Sequence, residues 1–405
     1  MSKNLYSLYF LIVLFANIYL FKVKIIGDFS IRLPLSLINL LIIIFLYRNK
    51  KINLKLLIFP LIFLLFSIIS VIISDVGQLN LFISNTFLSR FLLTYILVGL
   101  TVTLIPNYIS FNKLINILII VSSINSIAII AQFLDYNYIW ILADIISEER
   151  HAVYDLKTLI EIKSVYLGLA GAVQSGYLLC ILIPLILYKI NLGENKIFWF
   201  CFLCINIFLS TLVQQRLAFS LICLNSLYYL YTMRKNIGIV ILLASLFILI
   251  FLEINLSDLI SSSSRLNSFN DSNRMNTFYT SIDFIINNPL FGGYYKFLTI
   301  SEVSPHNILL NSWIRGGFIG FIAISTMITI IFKKSFRILK NKKINHPVNI
   351  YITLALINYI LLSFTHNEGI TTGHAVNFIL ITIFIMINYS SKINRDSLQK
   401  QNRII

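Results

Sequence analysis

SPHNILLNSWIRGGFIGFIAISTMITIIF, Ser304–Phe332, decides how this chain is built. Residues 313–332 are apolar and long enough to cross the hydrocarbon core of a bilayer. The residues before them are polar. Ser304 is expected to cap the helix and Pro305 to sit in its first turn. His306 and Asn307 are then expected among the free backbone N–H groups of that turn. Those amides and the helix dipole favour an anion such as a diphosphate. The stretch therefore reads as a membrane helix with a histidine at its mouth.

The rest of the chain follows the same pattern. Of its 405 residues 58% are hydrophobic, 14% aromatic and only 12% charged, and the mean hydropathy is +0.86. No water-soluble domain of this size needs so much apolar material, so the sequence predicts a polytopic membrane protein. The N-terminus, MSKNLYSLYFLIVLF, has no convincing small-residue cleavage site after it and reads as the first span. About twelve spans of roughly 16–21 residues are expected. They fall near 5–21, 33–47, 56–73, 89–105, 114–134, 170–188, 197–213, 217–232, 237–252, 313–332, 349–364 and 371–389. The predicted fold is thus an all-α polytopic helix bundle of about 12 transmembrane helices, one integral membrane domain over 1–405.

Charge orients the bundle. Lysine and arginine total 32 against 16 acidic residues, for a net charge of +16. The basic residues cluster at Arg48–Lys55, Arg234–Lys235, Lys333–Lys343 and Lys392–Arg403, with only Glu194 and Asp396 as acids on that side. These clusters alternate correctly with the spans, so that side and both termini are expected in the cytoplasm. Asp28, Asp75, Glu148, Glu149, Glu253, Asp258, Asp271 and Glu302 fall on the other side. The basic excess is a topology signal, and no nucleic-acid partner is expected. Cys180, Cys201, Cys204 and Cys223 lie in apolar runs, so the CxxC spacing of Cys201 and Cys204 reads as packing rather than redox or metal chemistry.

Two outer loops stand out, a smaller one at 135–169 and a large one at 253–312. The larger is too polar to span. Within it Arg274–Ile286 has helical spacing, with Met275, Phe278, Ile282 and Ile285/Ile286 on one face. That pattern predicts a short amphipathic helix lying on the membrane interface. Asn287, Asn288, Pro289, Gly292 and Gly293 end it. A loop of this length with its own helix is usually functional.

Counting through the spans gathers several polar groups at the outer face. Arg216 lies in the turn QQR, Arg265 and Arg274 in the large loop, His306 and Asn307 at the mouth of a span, Arg315 about two turns further in, and Glu368 between the last two spans. Arginine suits a diphosphate because its planar fork donates two hydrogen bonds to phosphate oxygens. Ionisable groups at a bilayer are expensive, which makes each a candidate for function. No Gly-rich phosphate loop with a following lysine occurs, and no HExxH-like or DxD-like cluster, so neither ATP nor a metal nor another cofactor is expected in the chemistry.

From Arg265 to Gly320 the sequence resembles the O-antigen ligase/polymerase superfamily of bacterial membrane glycosyltransferases. The resemblance rests on an arginine before a short helix (Arg274–Ile286), then NNPLFGG (Asn287–Gly293), SPHN (Ser304–Asn307) and RGGFIG (Arg315–Gly320). Upstream, STLVQQRLAF (Ser210–Phe219) looks like the family's membrane-edge arginine turn, with Gln215-Arg216 where Ser-Arg is usual. The motif-bearing part covers roughly 205–330. The resemblance implies an inner-membrane enzyme with a periplasmic active site, needing no metal. It implies Arg216 and Arg274 as diphosphate ligands and His306 as the catalytic histidine.

The expected function is therefore an O-antigen or surface-polysaccharide polymerase. It joins a glycan on undecaprenyl diphosphate to a lipid-linked repeat unit, with a chain-length regulator as a candidate partner. His306, Arg216 and Arg274 are the expected catalytic residues, and Asn307, Arg265, Arg315, Tyr294 and Glu368 the expected substrate-binding ones. Two alternatives stay open. One is a ligase transferring finished glycan to lipid A core. The other is a flippase or other transporter, for which helix breaks and charges near the bilayer midplane would be the signature.

Overall fold

The computed structural model describes residues 3–20, 24–26, 29–30, parts of 37–45, 58–75, 77, 109–146, 166–193, 195–213, 215–233, 272–301, 303–340 and 347–365. Among these the chain is helical apart from one small antiparallel ribbon, β1 (Lys24–Ile26) with β2 (Phe29–Ser30). The helices are α1 (Lys3–Tyr19), α2 (Ile58–Ser74), α3 (Phe111–Phe133), α4 (Asn137–Ile146), α5 (Ala172–Leu192), α6 (Lys196–Leu212), α7 (Arg216–Met233), α8 (Ser272–Asn287), α9 (Tyr294–Ser301), α10 (Ile308–Lys340) and α11 (Pro347–Ser363). Among the described residues three apolar stretches are long enough to cross a membrane: Asn112–Phe133, Val173–Leu192 and Ile308–Lys340. The helices α1, α2, α6, α7 and α11 carry shorter apolar stretches. All eight fall on apolar runs read as spans. The runs near 89–105, 237–252 and 371–389, and most of 33–47, lie outside the described residues.

The chain divides into two compact units, Met1–Val121 with Ser272–Ile405, and Ser122–Asp271. In the second unit α5 is the centre. Tyr177, Ile181, Leu182, Ile183 and Leu185 are all buried, as expected of a helix apolar on every side. The segment before it, Tyr166–Gly171, is not helical, and its backbone polar groups need partners. Polar side chains of α3 supply them. Asn125 Oδ1 accepts from the N–H groups of Leu169 and Ala170 at 3.0 and 3.1 Å. Gln132 accepts from the Gly168 N–H at 2.8 Å and donates to the Gly168 carbonyl at 3.1 Å. Irregular backbone among membrane helices is tolerated where protein groups satisfy it in this way.

In the first unit α10 packs along α2. Gly316 and Gly320, one turn apart, let the buried Phe63 ring approach the α10 backbone. A methyl group on Gly316 would come within 3.2 Å of that ring, and one on Gly320 within 3.3 Å. The helix is broken at Gly317, whose φ of 61° and ψ of −164° are not helical. A break frees backbone groups, and the Asn288–Gly293 turn takes them up. Gly293 N–H donates to the Ile314 carbonyl at 2.9 Å, and Phe318 N–H donates to the Leu290 carbonyl at 3.1 Å. The Trp313 indole N–H adds a bond to the Pro289 carbonyl at 2.8 Å. The turn is thus locked into the broken helix by three backbone-directed bonds, beside a core of Phe284, Ile285, Phe297 and Ile314.

The helix expected at Arg274–Ile286 exists as α8, and the side it turns to the protein differs from most of the stripe expected at the membrane interface. Ser281, Phe284 and Ile285 turn inward, while Met275, Phe278 and Ile286 stay exposed. The two rings that decide this, Phe284 and Phe297 of α9, meet edge to face at 5.4 Å.

Candidate functional site

The polar groups of the first unit converge at the start of α10. The helix begins at Ile308, not at Pro305. Asn307, rather than Ser304, caps it: its Oδ1 accepts from the N–H groups of Leu309 and Leu310 at 2.9 and 3.2 Å. An asparagine oxygen is a good N-cap acceptor, and once it is in place it occupies first-turn amides expected to be open for an anion. The Asn307 side chain is committed at both ends, since Nδ2 donates to the Phe364 carbonyl just beyond α11 at 3.2 Å. His306 sits in the non-helical residues immediately before the cap, half-buried.

One turn on from the cap, Asn311 is fully buried, and its Oδ1 accepts from Arg315 Nε at 3.0 Å. The Arg315 guanidinium carbon lies 3.5 Å from the centre of the Tyr294 ring. That is a cation–π contact at close range. Arg315 and Tyr294, both expected to bind substrate, are therefore one assembly. The Tyr294 end of α9 is fixed in turn by Asp75, which follows α2. Its carboxylate accepts from the Tyr295 and Lys296 N–H groups at 3.1 and 2.9 Å, and it is only 4% exposed. A buried carboxylate at a helix N-terminus satisfies amides that would otherwise be orphaned and complements the helix dipole.

Asp75 is the residue that sequence reasoning left without a role. Its signal was a lone carboxylate closing the apolar run of α2, and its partners are 220 and 221 positions away. Arg274 lies in the first turn of α8, and Arg216 opens α7 in the second unit. Both guanidinium groups lie outside the described side chains. Arg265 and Glu368 lie outside the described residues. The free thiols of Cys201 and Cys204 are exposed on α6. Among the described residues no His, Cys, Asp and Glu cluster has the makings of a metal site.

Chemically, the assembly presents a cation of fixed orientation at the end of an apolar helix, with an imidazole nearby in sequence at the same helix mouth. Arg315 can hold a phosphate oxygen, because the ring contact and the Nε bond leave its geometry preset. No family model matches the chain, and no curated protein matches it.

Proposed function

We propose that this chain is a polymerase of lipid-linked glycan, working at the outer face of the inner membrane, with about 12 transmembrane helices and both termini in the cytoplasm. The observation that carries this reading is the cation–π contact between Tyr294 of α9 and Arg315 of α10, the latter nine positions from His306. The donor is a growing glycan on undecaprenyl diphosphate, and the acceptor is a fresh lipid-linked repeat unit. An acceptor hydroxyl oxygen attacks the donor's anomeric carbon. The bond from that carbon to the diphosphate breaks, and undecaprenyl diphosphate leaves with the electron pair. His306 takes the hydroxyl proton as general base. Arg315 and Arg274 stabilise the charge gathering on the departing diphosphate. The family resemblance adds Arg216 as a further phosphate ligand. A diphosphate is already a good leaving group, so positioning and electrostatics suffice without ATP.

One observation favours a second reading. The break at Gly317, two positions from Arg315, is a feature of transporters with discontinuous helices. In those proteins unwound backbone groups are left to bind the cargo. Here the Ile314 carbonyl and the Phe318 N–H are already bonded to the Asn288–Gly293 turn. That favours a structural break and the enzyme reading over transport.

Deletion of the gene, followed by gel analysis of surface glycan, separates a polymerase from a ligase or a flippase. Loss of a polymerase leaves single repeats attached to their anchor. Loss of a ligase or a flippase leaves none attached, and that outcome would overturn the proposal.

A further inference from the structure

The Asn288–Gly293 turn is bonded to α10 at a level that can be read from the sequence. Lys333 and Lys334 mark the end of the apolar run. About 30 Å of hydrocarbon at 1.5 Å per residue takes roughly twenty residues, which brings the opposite boundary to Trp313. Tryptophan is at home at that boundary. Phe318, whose N–H holds the Leu290 carbonyl, is then about 7 Å below it. The turn therefore does not lie over the membrane. It reaches into it.

The exposure of the turn agrees. Leu290 is 65% and Phe291 41% exposed, although both are large apolar residues. Phe318, Ile319 and Ile322 of α10, in the same region of the span, are exposed as well, so the apolar surface of the span continues onto the turn. The helix leading into the turn has three sectors at about 100° per residue. Ser281, Phe284 and Ile285 face the protein; Met275, Phe278, Tyr279 and Ile286 form an exposed, mainly apolar stripe; Asn276, Asp283 and Asn287 form an exposed polar stripe. A helix with one side on protein, one apolar and one polar fits the headgroup layer.

We propose that Asn288–Gly293 is a wedge inserted into the leaflet that receives the N-terminal end of α10. Leu290 and Phe291 contact acyl chains, and α8 rests in the headgroup layer with Met275, Phe278 and Ile286 facing the hydrocarbon. The wedge holds Tyr294 against Arg315, whose backbone lies about 3 Å inside the hydrocarbon boundary. The inference uses only the reading of α10 as a membrane span and is independent of any glycan chemistry.

The test is photo-crosslinking with the full chain in vesicles of phosphatidylethanolamine and phosphatidylglycerol. p-Benzoylphenylalanine replaces Leu290 in one protein and Phe291 in a second, both at exposed positions. Replacements of Ile322 and Asp283 serve as the lipid-facing and water-facing references. After illumination, mass spectrometry of the isolated protein is expected to find phospholipid adducts at 290 and 291 within about twofold of the yield at 322. Yields as low as at 283, or crosslinks from 290 and 291 to another part of this chain or to a second copy, would overturn the proposal.

Discussion

Replacing Gly317 by alanine tests the junction that organises the first unit. Gly317 has φ 61° and ψ −164°, a backbone region that is essentially reserved for glycine. A methyl group there would collide with the Leu290 carbonyl oxygen and come within 2.9 Å of the Leu290 and Phe291 carbonyl carbons. These are backbone atoms and cannot swing aside. The strain costs about 1–3 kcal/mol. Moving the turn away also gives up the Phe318–Leu290 and Gly293–Ile314 bonds, each worth about 0.5–1.5 kcal/mol net. Together they predict a loss of about 4 kcal/mol, a large part of the usual stability of a folded protein. Gly316 is the control. It is helical, and its added methyl would meet the edge of the Phe63 ring at 3.2 Å and the Phe63 carbonyl oxygen at an ordinary 3.5 Å. Alanine gains about 1 kcal/mol of helix propensity there, which offsets the crowding to within about 1 kcal/mol. Unfolding of the purified variants in mixed micelles, followed by circular dichroism, measures both. A Gly317→Ala protein within about 0.5 kcal/mol of the wild type would refute the account of the break.

Three further outcomes follow from the same geometry. Asp75→Ala strands the Tyr295 and Lys296 amides and is expected to lower stability by about 2 kcal/mol in the same assay, whereas Asp75→Asn keeps an acceptor and loses less. Asn307→Ala removes the cap of α10 and is expected to cost about 1 kcal/mol, with Asn307→Asp recovering most of it, since the aspartate oxygen can replace Oδ1. Tyr294→Leu removes the ring under Arg315 and is expected to slow glycan elongation in isolated membranes by about tenfold, while Tyr294→Phe keeps the ring face and most of the rate.

The helices were legible because burial in lipid or protein demands long apolar runs, and α5, α6, α7 and α11 fall where those runs lie. The faces were less legible. Met275, Phe278 and Ile286 share a stripe with helical spacing, yet Phe284 and Ile285 are what α8 buries, because Phe297 and Ile314 lie opposite them. Spacing defines a stripe but not which neighbour it meets. The break at Gly317 was hidden for a related reason. Glycine is common inside membrane helices, and only the bonds from Leu290 and Gly293, far back in the chain, make this one a break. Within the candidate site, Arg315 and Tyr294 were each recognisable as chemistry-bearing residues. Their pairing, and the Asp75 carboxylate that holds the α9 end in place, depend on contacts across long stretches of sequence and could not be read from local pattern.

The proposed polymerase is tested most directly by giving the purified chain, in lipid vesicles, a defined repeat unit on undecaprenyl diphosphate. The account predicts a ladder of longer lipid-linked glycans without added ATP or metal, and none from a folded His306→Ala protein. A His306→Ala protein that builds the same ladder at the wild-type rate would contradict it.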